Sequence, residues 1–205
     1  MSLDTDNALL SIQDALSYMG LGSTTASTSI NDAVENIINV VSYRFNDETG
    51  RLLKSRSLTE YYDGNGKNVL YLDQYPISST TITITIDGTR AFTSTDYIVT
   101  STDIMLSTES GEIRLDGDTF DIGQRNVKVE YSAGYSSSGA HSLTQTAKEY
   151  VKLIYDRRTK KGNAEAGIRS ESWEGHSITY ENDLPWSVKS VLDMYRKRDT
   201  VGTHG

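Results

Sequence analysis

The chain of 205 residues contains no cysteine, only three histidines and no long hydrophobic run. The absence of cysteine excludes thiolate zinc sites, thiol catalysis and disulfide bonds, and it is consistent with a reducing cytoplasm. No apolar segment approaches the roughly 18 residues that a membrane-spanning helix needs. The N-terminal segment has no basic region followed by an apolar stretch, so it does not resemble a signal peptide. We therefore expect a soluble protein that is made in a cytoplasm.

Motifs for catalysis and for metal or cofactor binding are also missing. His141, His176 and His204 fall in a predicted loop, a hairpin and a tail, and nothing orients one of them as a catalytic base. The sequence has no HExxH, Walker A, dinucleotide-binding or EF-hand motif. Residues 63–66, Asp-Gly-Asn-Gly, lack the spaced carboxylates of a calcium loop and favour a tight hairpin turn. We predict no enzymatic activity, no cofactor and no metal.

Charge is distributed unevenly along the chain. Residues 1–135 contain 19 acidic and 9 basic side chains, a balance of −10, whereas residues 136–205 contain 9 acidic and 11 basic side chains, a balance of +2. A strongly acidic body repels phosphates and releases no counterions, which argues against wrapping of nucleic acid. The basic C-terminal third is suited to an acidic partner surface.

The N-terminal quarter has the periodicity of two helices. Apolar residues recur at helical spacing over residues 9–19, and Gly20 follows where a C-terminal cap is expected. After a Ser/Thr-rich linker, Ser29 and Asp32 indicate a capping box at the start of the second helix. That helix has a broad apolar stripe, which must pack against another element. The stripe consists of Ile30, Val34, Ile37, Ile38, Val41 and Phe45.

From about residue 50 the helical period gives way to short alternating runs. In residues 81–86, three isoleucines fall on one face and three threonines on the other, which is typical of a half-buried strand. Asp-Gly pairs at residues 63, 87 and 116 are turn signals. Six or seven short strands at this spacing predict a small antiparallel sandwich or barrel.

Helical periodicity returns after Ser142 and ends in the charged run of residues 156–161. A short hairpin is predicted at about residues 170–180. Pro185 suits the first turn of a last helix, because its missing N–H would have no partner there. We expect this helix to bury Trp186, Val188, Val191, Leu192 and Tyr195.

These patterns predict an α+β fold: a helical bundle-like domain interrupted by an inserted small antiparallel β sandwich or barrel. The helical domain comprises residues 1–47 and 142–198, because neither half can bury its apolar stripe alone. The inserted β domain comprises residues 50–135. We expect residues 199–205 to form a flexible C-terminal tail.

Two functional classes remain open beside a structural role. The carboxylates are spread singly over turns, yet strands can bring any two together, so a hydrolase with a carboxylate pair is one alternative. The other is a β-rich binding module that recognises glycans or surfaces, because aromatic faces stack on sugars. Several of the 13 tyrosines, such as Tyr71, Tyr97 and Tyr131, fall in strands, where packing is the commoner role.

Two basic clusters follow predicted helices. The first contains Arg157, Arg158, Lys160 and Lys161, and the second contains Arg196, Lys197 and Arg198. Cations at a helix C-terminus are favoured by the helix dipole, so these residues either cap the helices or contact a partner.

Short motifs also follow one another in a fixed order along nearly the whole chain. They are Tyr43-Arg44-Phe45, Leu58 to Gly64, Leu70-Tyr71-Leu72 before Pro76, Val129 to Tyr135, Ser170-Glu171-Ser172, Ile178-Thr179-Tyr180, Leu184-Pro185 and Tyr195-Arg196. In this order and spacing they resemble the tailed-bacteriophage head–tail connector family, whose members are also called adaptor or head-completion proteins. The Ser/Thr-rich linker and the loop of residues 136–142 depart from the family pattern.

The resemblance implies a structural virion protein at the head–tail junction, made in a bacterial host. Copies would form a ring, usually of twelve, under the portal protein, and the ring would line the DNA exit channel. Viral DNA would pass transiently without sequence-specific binding, and a tail-side stopper or neck protein would bind below. No membrane partner is implied. Docking by the C-terminal segment makes Tyr195, Arg196, Lys197 and Arg198 the first candidates for portal contact, with residues 157–161 next.

Overall fold

The computed structural model describes residues 2–22, 27–78, 82–92, 97–99, 103–136, 139–160, 170–173, 176–179 and 184–197. The chain divides into two compact units, one of Met1–Leu53 with Ser137–Gly205 and one of Lys54–Ser136. The helices are α1 (Ile12–Met19), α2 (Thr28–Thr49), α3 (His141–Lys160) and α4 (Trp186–Asp193). The strands are β1 (Arg56–Gly64), β2 (Val69–Tyr71), β3 (Thr83–Ile86), β4 (Tyr97–Val99), β5 (Ile104–Ser107), β6 (Glu112–Leu115), β7 (Gly123–Ala133), β8 (Ser170–Trp173) and β9 (His176–Thr179). The predicted α+β class is confirmed.

Helix α1 is closed at both ends by local hydrogen bonds. The Ser11 Oγ accepts the Asp14 N–H at 3.1 Å and donates to the Asp14 carboxylate at 2.6 Å. Gly20 ends the helix with a left-handed φ of 74°, which a glycine adopts at little cost. The predicted first helix and its glycine cap are confirmed.

Helix α2 buries its predicted stripe but begins earlier than predicted. Ser27 is the N-cap residue, and its side chain makes no capping bond. The predicted capping box of Ser29 and Asp32 is therefore wrong, because Ser29 already lies in the first helical turn. The apolar stripe is confirmed, since five of its six members are buried and Ile30 is half-buried.

Helix α2 also has a buried polar edge that binds the N-terminal segment. The Asn39 Oδ1 accepts the Asp4 N–H at 2.9 Å, and the Ser42 Oγ accepts the Leu9 N–H at 3.0 Å. Because a buried amide or hydroxyl without a partner is costly, these bonds explain polar residues at positions that face the interior. They fix residues 2–9 along one side of α2.

Helix α4 packs against α2 and α3 through Val188 and Leu192, which are buried. Val191 and Tyr195 are half-buried. The prediction that Trp186 faces the core is wrong, since 82% of this side chain is exposed. The reason is angular: a residue two positions before Val188 lies about 200° around the helix and therefore on the opposite side.

The described residues of the β unit form two antiparallel sheets. One contains four strands in the order β1-β7-β3-β4, and the other contains three in the order β2-β6-β5. The predicted buried face of residues 82–86 is confirmed, because Ile82, Ile84 and Ile86 are buried. Side chains from both sheets form one core, as in a sandwich. It includes Leu70, Ile84, Ile113, Leu115, Phe120, Val127 and Val129.

The predicted tight hairpin turn at residues 63–66 is wrong. Strand β1 pairs with β7 and not with β2, so this segment carries the chain from one sheet to the other. The buried Asn126 organises the crossing, since its Oδ1 accepts the Gly64 N–H and its Nδ2 donates to the Asp121 carbonyl, both at 2.8 Å. The predicted hairpin near residues 170–180 is confirmed by the antiparallel pair β8–β9. Gly175, which the sequence places near its turn, lies outside the described residues.

The chain enters and leaves the β unit side by side. Lys54 and Tyr135 form an isolated parallel bridge, and the Ser55 N–H donates to the Tyr135 carbonyl at 3.1 Å. Gly134, which precedes Tyr135, has a φ of 109°, and a Cβ added there would lie 2.6 Å from the Lys54 carbonyl oxygen. Both the backbone angle and the close approach require glycine.

We predict that Gly134→Ala lowers the free energy of unfolding by at least about 2 kcal/mol, because alanine adds left-handed strain and a backbone clash. Urea unfolding followed by circular dichroism measures the change. Gly88→Ala is the matched control, since its Cβ meets no atom within 4 Å, and it should change stability by no more than about 0.5 kcal/mol. Equal stability of the two variants would contradict the conclusion that glycine is required at position 134.

Asp87 closes the turn after β3 by binding backbone N–H groups. Its carboxylate accepts the Thr89 N–H at 2.7 Å, the Ala91 N–H at 2.6 Å and the Phe92 N–H at 2.9 Å. The bond from Phe92 is the largest cause that lowers the pKa of Asp87 to about 2, with further contributions from Thr89 and Ala91. The charged form of Asp87 is therefore bound more strongly in the folded chain than in the unfolded chain.

Because the folded pKa lies below the ordinary value of about 3.9, the contribution of Asp87 is complete above about pH 4 and is lost as pH falls towards 2. We predict that Asp87→Asn lowers the urea midpoint at pH 7 and reduces the loss of stability between neutral and acid pH. Asp116→Asn, at an exposed turn position, is the control and should leave the urea midpoint at pH 7 nearly unchanged. Parallel pH profiles for wild type and Asp87→Asn would contradict this role.

Candidate partner interface

The second basic cluster lies in the turn that follows α4. The Tyr195 hydroxyl is 2.6 Å from the Ser142 Oγ at the start of α3, and the Lys197 N–H donates to the Thr49 carbonyl at 2.8 Å. These bonds attach the turn to the ends of two other helices. The backbone of the candidate portal-binding segment is thus fixed within the helical unit, although Arg198 lies outside the described residues.

Arg196 is engaged within its own unit. Its Nη2 lies 2.8 Å from the Glu48 Oε1 and 3.1 Å from the Asp193 Oδ1. Arg196 therefore contacts acidic side chains of its own unit, which the sequence did not indicate. Because the Arg196 side chain is 52% exposed, each ion pair stabilises the fold by at most about 1 kcal/mol. An acidic partner group can replace them at small cost.

The first basic cluster lies at the other end of α3. Arg157 and Arg158 are exposed in its last turn, whereas the Lys160 side chain and Lys161 lie outside the described part of the chain. Tyr195 contacts the first turn at Ser142, which is 15 residues before Arg157. At 1.5 Å per residue the two clusters are about 22 Å apart along the helix. The two basic clusters that the sequence indicated therefore lie at opposite ends of α3.

Large side chains on the surface of the helical unit were missed by the sequence reasoning. Trp186 is 82% exposed and Met194 is 67% exposed on and after α4, while Val40 and Tyr43 on α2 are each about half exposed. The angular positions of these residues around their helices could have indicated that they are exposed. Val40 and Tyr43 are absent from the predicted stripe, and Trp186 lies opposite the buried Val188.

Tyr43 is held in place by the N-terminal segment. Its hydroxyl donates to the Asp4 Oδ2 at 2.6 Å, and the Asn7 Nδ2 donates to the same oxygen at 2.8 Å. The bond from Tyr43, followed by that from Asn7, lowers the pKa of Asp4 to about 2. Asp4 is therefore ionised at neutral pH beside an exposed aromatic ring.

The tyrosines of β1 and β7 are engaged inside the β unit. The Glu60 Oε2 accepts the Tyr131 hydroxyl at 2.5 Å and also accepts the Tyr62 hydroxyl. Burial, followed by the bond to Glu60, raises the pKa of both tyrosines above the ordinary range. The hydroxyls in turn accept the N–H groups of Asp73 and Gln74, so the cluster braces the loop after β2.

Neither a metal site nor a membrane helix is found in the described part of the chain. No group of three or more His, Asp or Glu side chains there is arranged to hold an ion. Asp63 and Asn65, which begin the calcium-like segment, accept the N–H groups of Arg125 and Lys67 instead. Among the described residues no helix is both long and apolar enough to cross a bilayer.

The fold is shared with proteins of known structure. A chain in the neck of an empty gene transfer agent particle, computed with C6 symmetry, aligns with a TM-score of 0.63 and 14% identity over 100% of this chain and 98% of that one. A chain in the virion of the native gene transfer agent aligns with a TM-score of 0.60 and 14% identity over 99% and 96%. One in the neck of the native particle, computed with C12 symmetry, gives 0.55 and 14% over 100% and 97%. At this identity the likeness shows the fold alone.

Sequence comparison identifies the family. No curated protein matches the chain. The family model described as head completion protein matches residues 8–198, which include all four helices and all nine strands of the described structure. This family consists of structural virion proteins and is not known for enzymatic activity. The match covers far more than half of the sequence and agrees with the resemblance carried by the ordered motifs. The chain therefore belongs to the head completion protein family.

Proposed function

We propose that this protein is a head–tail adaptor, whose copies form a ring of twelve under the portal of a tailed particle. The observation that carries the proposal is the family match over residues 8–198. The shared fold supports it, because similar chains occur in particle necks computed with C6 and C12 symmetry. A ring of this kind would lie at the head–tail junction and be made in a bacterial host.

The ring would line the channel through which DNA leaves the head. Residues 1–135 have a balance of −10, and residues 1–53 contain seven acidic side chains against two basic ones. A wall with this charge repels phosphates, so DNA slides past without sequence-specific binding. The acidic body is consistent with this role.

We also propose which part of the chain contacts the other subunits. The helical domain of residues 1–47 and 142–198 would contact the portal and neighbouring copies. A tail-side stopper or neck protein would bind below the ring. The proposed tail of residues 199–205 lies outside the described residues.

The two rival functions receive no support from the described residues. The head completion family is not known for enzymatic activity, so the family match gives a carboxylate-pair hydrolase no support. A glycan-binding module needs aromatic faces available for stacking, but Tyr62 and Tyr131 are bonded to Glu60 inside the β unit. The Tyr61 ring, which is 42% exposed, already contacts Phe92 at 5.2 Å between ring centroids and the Arg125 guanidinium at 5.4 Å.

We predict that the purified protein is monomeric or weakly associating, and that it binds the portal of its own particle in equal numbers of subunits. No heptad pattern or other strong signal for self-association is present in the sequence. Sedimentation velocity at micromolar concentration, with and without portal, measures both properties. Stable dodecamers without portal would contradict the assembly order, and failure to bind portal would contradict the function.

The docking residues are proposed to be Tyr195, Arg196, Lys197 and Arg198. We predict that reversing the three basic residues to Glu weakens portal binding about 10-fold at low salt, and less at high salt, because each exposed pair contributes up to about 1 kcal/mol and is screened. Binding is measured by titration of fluorescent protein against portal at two salt concentrations.

The ion pair of Arg196 requires its own control. Arg196→Glu alone faces Glu48, whereas Arg196→Glu with Glu48→Arg restores the internal pair and keeps the reversed charge at position 196. If the charge at 196 contacts the portal, the swapped variant binds as weakly as the single variant. Recovery of binding in the swap would show that Arg196 acts only within its own unit. Loss of binding in Arg157→Glu/Arg158→Glu alone would move the docking site to the far end of α3.

A further inference from the structure

The helical unit exposes an apolar face on α4 that nothing in the described structure covers. Trp186 at its start and Met194 just after its end are the most exposed large side chains of the helix, with Ser187 and Ser190 between them. Their spacing places these four residues on the side of α4 opposite Val188 and Leu192. Tryptophan and methionine are enriched at the centres of protein interfaces, and exposed apolar faces mark interaction sites. We call these four residues the α4 face.

A second stripe, exposed except for the half-buried Asn36, runs along α2. Ala33, Asn36, Val40, Tyr43 and Asp47 recur at intervals of three or four residues and lie on a side of the helix away from its buried stripe. The hydrogen bonds to Asp4 and Asn7 hold the Tyr43 ring in one orientation. A fixed aromatic ring loses little conformational entropy on binding, which suits an interface anchor. We call these five residues the α2 face.

The two faces belong to segments of opposite charge. Residues 2–43, which include most of the α2 face, contain five acidic side chains and no basic one. Residues 184–197, which include the α4 face, contain three basic side chains and one acidic one. Residues 2–43 of two copies would repel each other, whereas residues 2–43 of one copy and residues 184–197 of another attract. The charge pattern therefore selects contact between unlike faces.

We propose that the α4 face of one copy docks on the α2 face of the next copy in the ring. Contact between two different surfaces of identical subunits is heterologous, and it closes into a ring when the rotation between neighbours allows it. Trp186 packs beside Val40 and Tyr43, and Met194 extends the apolar contact. This inference rests on the proposed ring and names the surfaces that join its neighbours.

The size of the contact explains why it has to be weak in solution. A tryptophan and a tyrosine bury about 150–250 Å² each. Their combined area is well below the total of about 1,600 Å² that is typical of a stable interface. Two isolated copies therefore associate only transiently. Copies held side by side on a portal have a high effective concentration, and the same contact then becomes saturated.

Cross-linking tests the pairing directly, because the chain has no cysteine and reacts only where one is introduced. Val40→Cys and Met194→Cys are made singly and together, and the protein alone is treated at high concentration with a short bis-maleimide. Met105→Cys, at an exposed position on β5 that belongs to neither face, is the matched control. Circular dichroism checks that every variant is folded.

The expected result is a dimer when the two single variants are mixed, and a ladder of multimers when both cysteines are on one chain. Neither single variant should form more dimer by itself than the Met105→Cys control. Dimer formation by Val40→Cys alone, or no product above the control in the mixture, would overturn the proposal. Because no portal is present, this outcome is independent of whether the protein binds one.

A second measurement tests the anchor residue. Trp186→Ala should lower the yield of the Val40–Met194 cross-link at least about 10-fold, because a central tryptophan commonly contributes more than a tenfold factor in affinity. Met105→Ala, in the same double-cysteine background, should leave the yield unchanged. A wild-type yield with Trp186→Ala would show that the α4 face is not the contact surface. If rings form on portals but the cross-link does not form, this inference is overturned and the proposed function is not. If the cross-link forms but no rings form on portals, the proposed function alone is overturned.

Discussion

The packing of α2 against α3 joins two parts of the chain that the whole β unit separates in sequence. Phe45, fully buried, stacks on Tyr150 with 6.0 Å between ring centroids, and the Arg44 guanidinium donates to the Tyr150 hydroxyl at 3.0 Å. This contact closes a loop of about one hundred residues, which costs conformational entropy that buried apolar surface must offset. This contact, together with the packing of α1 on α3 and of α4 on α2, joins the two parts into one helical unit.

The β unit also brings its two ends together, as the closure of the helical unit requires. Its first and last residues are adjacent because β1 pairs with β7 along nearly its full length and the pairing continues as the bridge of Lys54 with Tyr135. Gly134 permits the close approach. A segment whose ends meet can be inserted into another fold without breaking it, which is why a helical protein can accept a sandwich between α2 and α3.

The features that the sequence predicted correctly are local ones. The faces of α1 and α2, the isoleucine face of β3 and the β8–β9 hairpin follow from helical or alternating periods and from turn residues. Contacts between distant residues were not predictable. The pairing of β1 with β7 spans about seventy residues, and nothing near Arg196 indicates that Glu48 is its partner. Trp186 shows that hydrophobicity alone misassigns a residue when its helical angle is ignored, since its exposure follows from the position of Val188.

The surface of the helical unit combines an acidic α2 side with a basic, aromatic α4 side, and this asymmetry suits a subunit that meets unlike neighbours. The most direct test of the adaptor role is a cryo-electron microscopy reconstruction of the particle that carries this chain. The account predicts twelve copies in one ring between the portal and the tail, with DNA or an open channel on the ring axis. Density for this chain elsewhere in the particle, or no ring at the junction, would contradict it.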